Sequence, residues 1–437
     1  MMAGICPECG RLVKAVEVIN DGQVFVEKIC PDHGPSRAMV SSDAEYWKWS
    51  TKYDRPGAKP FKWTSERNEG CPNDCGICPS HKQHTCIGII EITGQCNLKC
   101  NVCFAEAPYG NHLSFTQITD MINQYISCET EPEILQLSGG EPTLHPEIIE
   151  VVRYAKSLGI EDVAISTNGL RLLEEEFIVE LAQTDPVIYL QFDTLKPDVS
   201  TELRGRDLTE IKKAAVEVCN RSGMTTVLVP TLAKGLNDNE IGDLIEYALA
   251  QPKVFGVNFQ PVSLTGRIAT SHQLHTMTIP EILELIEEQT EGRIEATDFR
   301  PIPCPHPHCT AINYILVEDG TITPLTDLVD VDKYMNYAEN RTLVSEKILF
   351  NEGFEKLFST RAVPGSKSNL EAFCSACGMS LPEVLKKSVK SISVHSFMDA
   401  NTYQLERAQK CCIHVIRPDG KLIPFCNYNL IHNQRRD

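Results

Sequence analysis

The chain has 437 residues, 42% hydrophobic and 23% charged, which excludes disorder, collagen and coiled coil as its main architecture and predicts two or three domains. Lys+Arg total 41 against Asp+Glu 59, a net charge of −18, which excludes a nucleic-acid binder resting on a basic footprint. The outlier is cysteine, with 19 residues.

The opening MMAGICPECG has no basic segment followed by an apolar run, so no signal peptide is expected. No window approaches the ~18–20 apolar residues that span a bilayer. A cytoplasmic location is therefore expected, where disulfides are rare. Most of the cysteines stand two to four residues apart, a spacing that suits metals and clusters. In the first block, residues 1–50, Cys6 and Cys9 (CPEC) and Cys30 and His33 (CPDHG) form two knuckle-like corners. They predict a tetrahedral mononuclear site, zinc-ribbon or rubredoxin-like, holding zinc or iron in a structural role. In the second block, residues 51–86, Cys71, Cys75 and Cys78 form a C-x3-C-x2-C triplet, with Cys86 following. Four thiolates fill the corners of an auxiliary 4Fe–4S cluster, and His81 or His84 is an alternative to Cys86.

The third block, 87–290, alternates strand and helix signals. Strands are predicted over Ile87–Ile92, Ile134–Leu137, Asp162–Ser166, Val187–Phe192, Thr225–Val229 and Val254–Phe259. Helices are predicted over Thr116–Ser127, Pro146–Leu158, Glu174–Gln183, Thr209–Arg221 and Asn239–Ala250. Cys128 and Cys219 fall within helical patterns and read as small core residues. Six βα units predict an α/β protein with a parallel sheet, open or curled into a partial (βα)6 barrel, and a site at the carboxyl ends of its strands. There TGQCNLKCNVCF carries Cys96, Cys100 and Cys103, followed by Phe104. Three thiolates hold three corners of a 4Fe–4S cube and leave one iron open; a zinc knuckle or an ordinary electron-transfer cluster fits the spacing equally well.

The last block, 291–437, is expected to be a C-terminal auxiliary-cluster domain. It carries Cys304 and Cys309, the pair Cys374 and Cys377, the neighbours Cys411 and Cys412, and Cys426. Cys304, Cys309, Cys412 and Cys426 are the expected ligands of a second auxiliary cluster, with Cys374 and Cys377 as rivals.

The triplet after the first strand, with SGGEP (Ser138, Gly139, Gly140, Glu141, Pro142) ending the second, resembles the radical S-adenosylmethionine (SAM) superfamily. The resemblance implies that the SGGEP segment binds the SAM amino group. It makes Asn168, Gln191, Asp193 and Gln260, polar residues at later strand ends, natural SAM contacts. It further implies that SAM chelates the open iron and is cleaved reductively to a 5′-deoxyadenosyl radical, which takes hydrogen from an unactivated C–H bond. The electron would come from a donor such as ferredoxin or flavodoxin. Taken in order, CPEC, CPDHG, LQFDTL, VLVPTLAKGLND, NFQPVSLTGR and PDGKLIPFCNYN make nearly the whole chain similar to the archaeal tetraether lipid synthase group, also classed as class D radical SAM methyltransferases. The first expectation is C–C bond formation between lipid alkyl chains, with peripheral contact at a membrane. The alternative is radical methylation of a pterin, a small-molecule substrate. From a different class, a non-catalytic iron–sulfur electron carrier would keep the cysteines without needing SGGEP.

Overall fold

The computed structural model describes residues 2–57, 59–129, 132–160, 162–268, 274–302, 305–318, 320–328 and 388–432. Cys304, Cys374 and Cys377, named above as candidate ligands, lie outside them.

The chain begins with a four-stranded antiparallel sheet in sequence order: β1 (Ala3–Ile5), β2 (Leu12–Asn20), β3 (Gln23–Cys30) and β4 (Gly34–Ser41). Asp21 and Gly22 turn β2 into β3 with φ of 49° and 77°, and Asn20 pairs with Gln23. Two positive φ values in a two-residue loop match the twist of the flanking strands. Helix α1 (Ala44–Thr51) follows, capped by Asp43 Oδ1, which accepts from Glu45 N at 2.7 Å and Tyr46 N at 3.2 Å. Such a cap contributes about 1 kcal/mol.

The next elements are β5 (Ile87–Thr93), the short β6 (Val102–Cys103), α2 (Phe115–Cys128), β7 (Ile134–Gly139), α3 (Ile148–Ser157) and β8 (Asp162–Thr167). After them come α4 (Glu175–Ala182), β9 (Val187–Gln191), α5 (Pro197–Arg204), α6 (Thr209–Ser222), β10 (Thr226–Val229), β11 (Thr231–Leu232), α7 (Ile241–Ala250) and β12 (Val254–Pro261). Strands β5, β7, β8, β9, β10 and β12 pair in that order, all parallel. They are the six strands expected from the apolar runs, and α2, α3, α4, α6 and α7 are the expected helices. Helix α2 buries Ile118, Met121, Ile122 and Tyr125, a spacing of three, four and seven that makes one apolar stripe. Ser114 and Gln117 close its first turn as a capping box. The stripe joins the core of Ile90, Ile92, Leu135, Leu137 and Ile165, and Cys128 and Cys219 are buried there as small core residues. Each fully buried Ile or Leu stabilises by about 1.5–3 kcal/mol.

Beyond β13 (Arg267–Ile268) and α8 (Ile279–Gln289), the chain adds β14 (Arg300–Pro301), β15 (Thr310–Glu318), β16 (Thr321–Pro324), β17 (Ser388–His395), β18 (Ile413–Ile416) and β19 (Leu422–Pro424). These strands join the same sheet. β17 runs parallel to β12, with Ser393 opposite Asn258, and β18 runs parallel to β5, with Ile413 opposite Ile87. The partial barrel is thus extended at both edges by strands of the 291–437 block, which the sequence patterning had not revealed. Among the described residues, no helix is long and apolar enough to cross a membrane.

Candidate functional site

A cavity of about 330 Å³ opens at the carboxyl ends of the barrel strands. Cys96, Cys100 and Cys103 line it together with Phe104, Ser138, Gly139, Gly140, Glu141, Asn168, Gln191 and Gln260. Two guanidinium groups fasten the cysteine loop by its carbonyls. Arg267 donates to Cys100 O at 2.9 Å and Ala107 O at 2.7 Å, and Arg204 donates to Val102 O at 2.7 Å. Burial pushes the Cys96 thiol up to about 11, and Glu141, Cys100 and Cys103 add to the rise. Three thiols brought to one wall of the cavity offer three corners to a cluster. The donor set therefore fits the cluster expected from the triplet.

The glycines of SGGEP are required by the backbone behind them. A Cβ on Gly139 would lie 2.2 Å from Thr93 O, and one on Gly140 would lie 2.2 Å from Gln95 O, just before Cys96. Gly139 also has φ of 124°. Glu141 is buried and knots two strand ends together. Its Oε1 accepts from Thr143 Oγ1 at 2.6 Å and Thr167 Oγ1 at 2.7 Å, and its Oε2 accepts from Asn168 N at 2.7 Å. Pro142 is not part of the cavity lining and starts the turn Pro142–Leu144. Asn168 Nδ2 donates to Asn97 Oδ1 at 2.7 Å, and Lys212 Nζ donates to Asn168 O at 2.5 Å and Gln191 Oε1 at 3.0 Å. Burial brings Lys212 down to about 8.

Asp193 corrects an expectation. It is absent from the cavity lining and is taken up by Arg204, whose Nε donates to Asp193 Oδ2 at 2.7 Å and whose Nη2 donates to Oδ1 at 2.5 Å. Thr231 N donates to the same Oδ1 at 3.0 Å. Gln191 and Asp193 share a face by strand alternation, but β9 ends at Gln191, so the alternation no longer applies at Asp193. Sequence reasoning missed Arg204, which lines the cavity, and Lys212. The signal for Lys212 was its position on the apolar face of α6, in register with Ala215, Val216 and Cys219.

Strand β17 adds Ser393 and His395 to the cavity, opposite Asn258 of β12. Burial lowers His395 to about 4, so its imidazole is neutral at pH 7, and its Nδ1 lies 3.3 Å from Thr310 Oγ1. Asn258 Oδ1 is buried and accepts no hydrogen bond among the described residues. Phe104, Phe397 and Phe425 stack edge to face and tilted, with centroids 4.9–5.7 Å apart, as one aromatic wall.

Among the described residues, three further groups of cysteines stand apart from the triplet. Near the N-terminus, Cys9 Sγ lies 4.0 Å from Cys30 Sγ, and His33 Nδ1 lies 3.7 Å from Cys6 Sγ and 3.5 Å from Cys30 Sγ. Tetrahedral zinc arms of about 2.3 Å to sulfur and 2.05 Å to nitrogen separate ligand atoms by about 3.6–3.8 Å. The four residues fit a mononuclear ion. In the second group, Cys71, Cys75 and Cys78 line a small cleft with His81 and Asn427. Asn427 Nδ2 donates to Cys75 Sγ at 2.9 Å. Cys86, expected as the fourth ligand, stands apart: its Sγ lies 3.4 Å from His84 Nε2 and close to Glu133. The imidazole in the cleft is that of His81, which burial lowers to about 4 and leaves neutral.

The third group takes in a cysteine that was not among the expected ligands. Cys411 lies with Cys309 and Cys426. Burial raises the Cys411 thiol, with Cys426 and Cys309 adding to it, and burial likewise pushes Cys426 up to about 11. Arg407 Nε donates to Cys309 Sγ at 3.4 Å. Cys412 instead enters the sheet, its carbonyl accepting from Cys86 N at 2.9 Å and Ile87 N at 3.1 Å.

The radical SAM superfamily model matches residues 90–248, and the HMPTM N-terminal zinc ribbon domain matches residues 1–42. The chain is 33% identical to 7,8-dihydro-6-hydroxymethylpterin dimethyltransferase of Methanocaldococcus jannaschii, over 98% of this chain and 93% of that protein. It is 26% identical to GTP 3′,8-cyclase of Clostridium acetobutylicum, over 64% of this chain and 93% of that one. SuiB of Streptococcus suis bound to S-adenosylmethionine is a similar solved structure, at 19% identity and a TM-score of 0.41, covering 48% of this chain and 47% of that one. With the triplet loop, the SGGEP turn and the parallel barrel on one side and the four-ligand ribbon on the other, the chain is a radical SAM enzyme and belongs to the members of that superfamily that carry the HMPTM zinc ribbon.

Proposed function

We propose that this enzyme is a radical SAM methyltransferase acting on a pterin-class heterocycle. One observation carries the reading: identity of 33% along almost the whole of this chain and of a relative named as a pterin dimethyltransferase. The coupling of lipid alkyl chains, expected first from the resemblance, gives way to this alternative. The cavity suits the change, being about 330 Å³ and edged by the amide of Asn258, Ser393 and the neutral imidazole of His395. A flat ring rich in donors and acceptors needs such edges, and an alkyl tail has no use for them.

When bound, a 4Fe–4S cluster and SAM supply one-electron cleavage of the sulfonium and a radical that takes hydrogen from carbon. The chain's own residues prepare the space. Cys96, Cys100 and Cys103 are the thiolates offered to the cluster, and Arg204 and Arg267 hold their loop by its carbonyls. Glu141 fixes the SGGEP and Asn168 strand ends against each other, and Ser138, Asn168, Gln191 and Gln260, which line the cavity, are the residues that would hold SAM. The aromatic wall of Phe104, Phe397 and Phe425 lines the cavity and would keep water from a carbon reacting there. Cys71, Cys75 and Cys78 with His81, and Cys309, Cys411 and Cys426, are read as sites of auxiliary 4Fe–4S clusters that accept electrons from a ferredoxin- or flavodoxin-type donor. We take 1–50 as the mononuclear metal segment, 51–86 as the first auxiliary segment and 87–290 as the radical SAM barrel, completed by strands from 291–437.

The test is anaerobic reconstitution with SAM and dithionite, with pterins and isoprenoid lipids offered separately, followed by mass spectrometry. Methyl gain on the pterin, with 5′-deoxyadenosine formed, is the expected result. Loss of two hydrogens joining alkyl chains would overturn the pterin reading in favour of the lipid one.

A further inference from the structure

We propose a second mononuclear metal site, distinct from the zinc ribbon and from the proposed clusters, formed by His84, Cys86 and Glu133 and suited to zinc. The donor atoms of these three residues lie within 4.8 Å of one another. His84 Nε2 and Cys86 Sγ are 3.4 Å apart, close to the ~3.6 Å that tetrahedral zinc arms to nitrogen and sulfur require. A thiolate, an imidazole and a carboxylate make a mixed borderline donor set of the kind zinc takes, with a fourth position left for water.

The surroundings orient each ligand. The second ring nitrogen of His84, Nδ1, lies 3.2 Å from Glu129 Oε2. A carboxylate there holds the proton on Nδ1 and leaves the Nε2 lone pair aimed at Cys86, the arrangement that metal-bound histidines share. Glu129 Oε1 also accepts from Thr85 N at 2.8 Å, which fixes the backbone between the two ligands. The buried Tyr125 hydroxyl donates to Cys86 O at 3.4 Å and accepts from Glu133 N at 3.3 Å. The end of α2 therefore sets the positions of all three ligands. Cys86 is fully buried while His84 and Glu133 are partly exposed, so an ion has a way in from solvent.

The site would tie the entry of β5 to the far end of α2, at the place where the auxiliary segment becomes the barrel. It does not depend on the proposed substrate. The balance is simple: an ion binds, and the Cys86 thiol releases its proton to solvent.

The test uses cluster-reconstituted full-length protein in which Cys6→Ser and Cys9→Ser disable the ribbon, titrated with Co(II) and read by electronic absorption. A single sulfur-to-cobalt charge-transfer band, saturating at one ion per chain, is expected. His84→Ala should abolish it, and Glu129→Gln should weaken cobalt binding by about 10- to 100-fold, with iron content unchanged. The Glu129 variant keeps a residue of the same shape, so the proposal stays falsifiable if the His84 variant fails to fold. No cobalt band in the ribbon-disabled protein, or a band indifferent to both substitutions, would overturn the proposal and leave a thiol–imidazole hydrogen bond between Cys86 and His84.

Discussion

Replacing Asp193 with Asn removes a charge from one of the most enclosed ion pairs in the barrel. Asp193 and Arg204 side chains are 3% and 5% exposed. The amide of Asn can still accept at one oxygen, but it turns a donor toward Arg204 Nε or Nη2 and leaves the guanidinium buried without its counter-charge. Breaking a buried pair in this way costs about 3–5 kcal/mol, whereas exchanging both partners for apolar residues is often close to neutral. At about 2–4 °C per kcal/mol for a unit of this size, the Asn variant should melt about 6–20 °C below the wild type. The double variant Asp193→Leu/Arg204→Met should recover much of that loss. Burial alone raises the Asp193 carboxyl, but the Arg204 charge and its hydrogen bonds bring it below the ordinary carboxylate value. A carboxyl lowered by folding contributes stability that is complete above about pH 4, the value in the unfolded chain, and is lost as pH falls through the folded value. The gap between wild type and variant should thus be flat from about pH 8 to pH 5 and close only in stronger acid. Thermal melts of reconstituted protein across that range measure it. A loss below about 1 kcal/mol, or a gap that widens toward acid, would refute the role given to this pair.

Glu141→Gln should weaken SAM binding about 10- to 100-fold without loss of iron, because charge-assisted bonds of about 1.5–3 kcal/mol to Thr167 and Asn168 are traded for weaker ones; equilibrium binding of SAM reads it, and unchanged affinity would count against it. Cys411→Ala should lose iron that Cys412→Ala retains, since Cys411 lies with Cys309 and Cys426; metal analysis of the two variants decides, and the reverse pattern would favour Cys412. Cys30→Ser should release the ribbon ion and open β1–β4 to protease while the barrel stays folded, because a structural metal of this kind contributes on the order of 10 kcal/mol; an intact sheet in limited proteolysis would contradict it.

The barrel was legible because a parallel sheet covered on one side by helices writes itself in short apolar runs such as Ile134–Leu137 and Ile188–Leu190. The N-terminal sheet was legible only through its metal corners. Its strands alternate weakly, and Val16, Ile19 and Ile29 are exposed. Strands β17 and β18 were hidden for another reason: their partners are far away in sequence, and no local pattern states which edge a strand will join. At the site, spacing found the three cysteines of each triplet, since close ligands share one loop. It also joined Cys30 and His33 to Cys6 and Cys9, because each corner is itself a close pair, but it did not choose among cysteines that stand singly. Cys86 and Cys412 meet through their backbones where β5 and β18 begin, and Asp193 is diverted by an arginine eleven positions on.

The two added edge strands constrain how the chain reaches its native state. β5 is made long before its outer neighbour β18, and β12 waits for β17 in the same way. During synthesis the six-stranded sheet must exist with both edges bare, each a row of unpaired backbone groups ready to pair with another chain. Closing such distant pairings is slow because chain entropy is spent before the contact is gained. Refolding should therefore be slow and strongly dependent on protein concentration, and a truncation before residue 388 would leave both edges open at once.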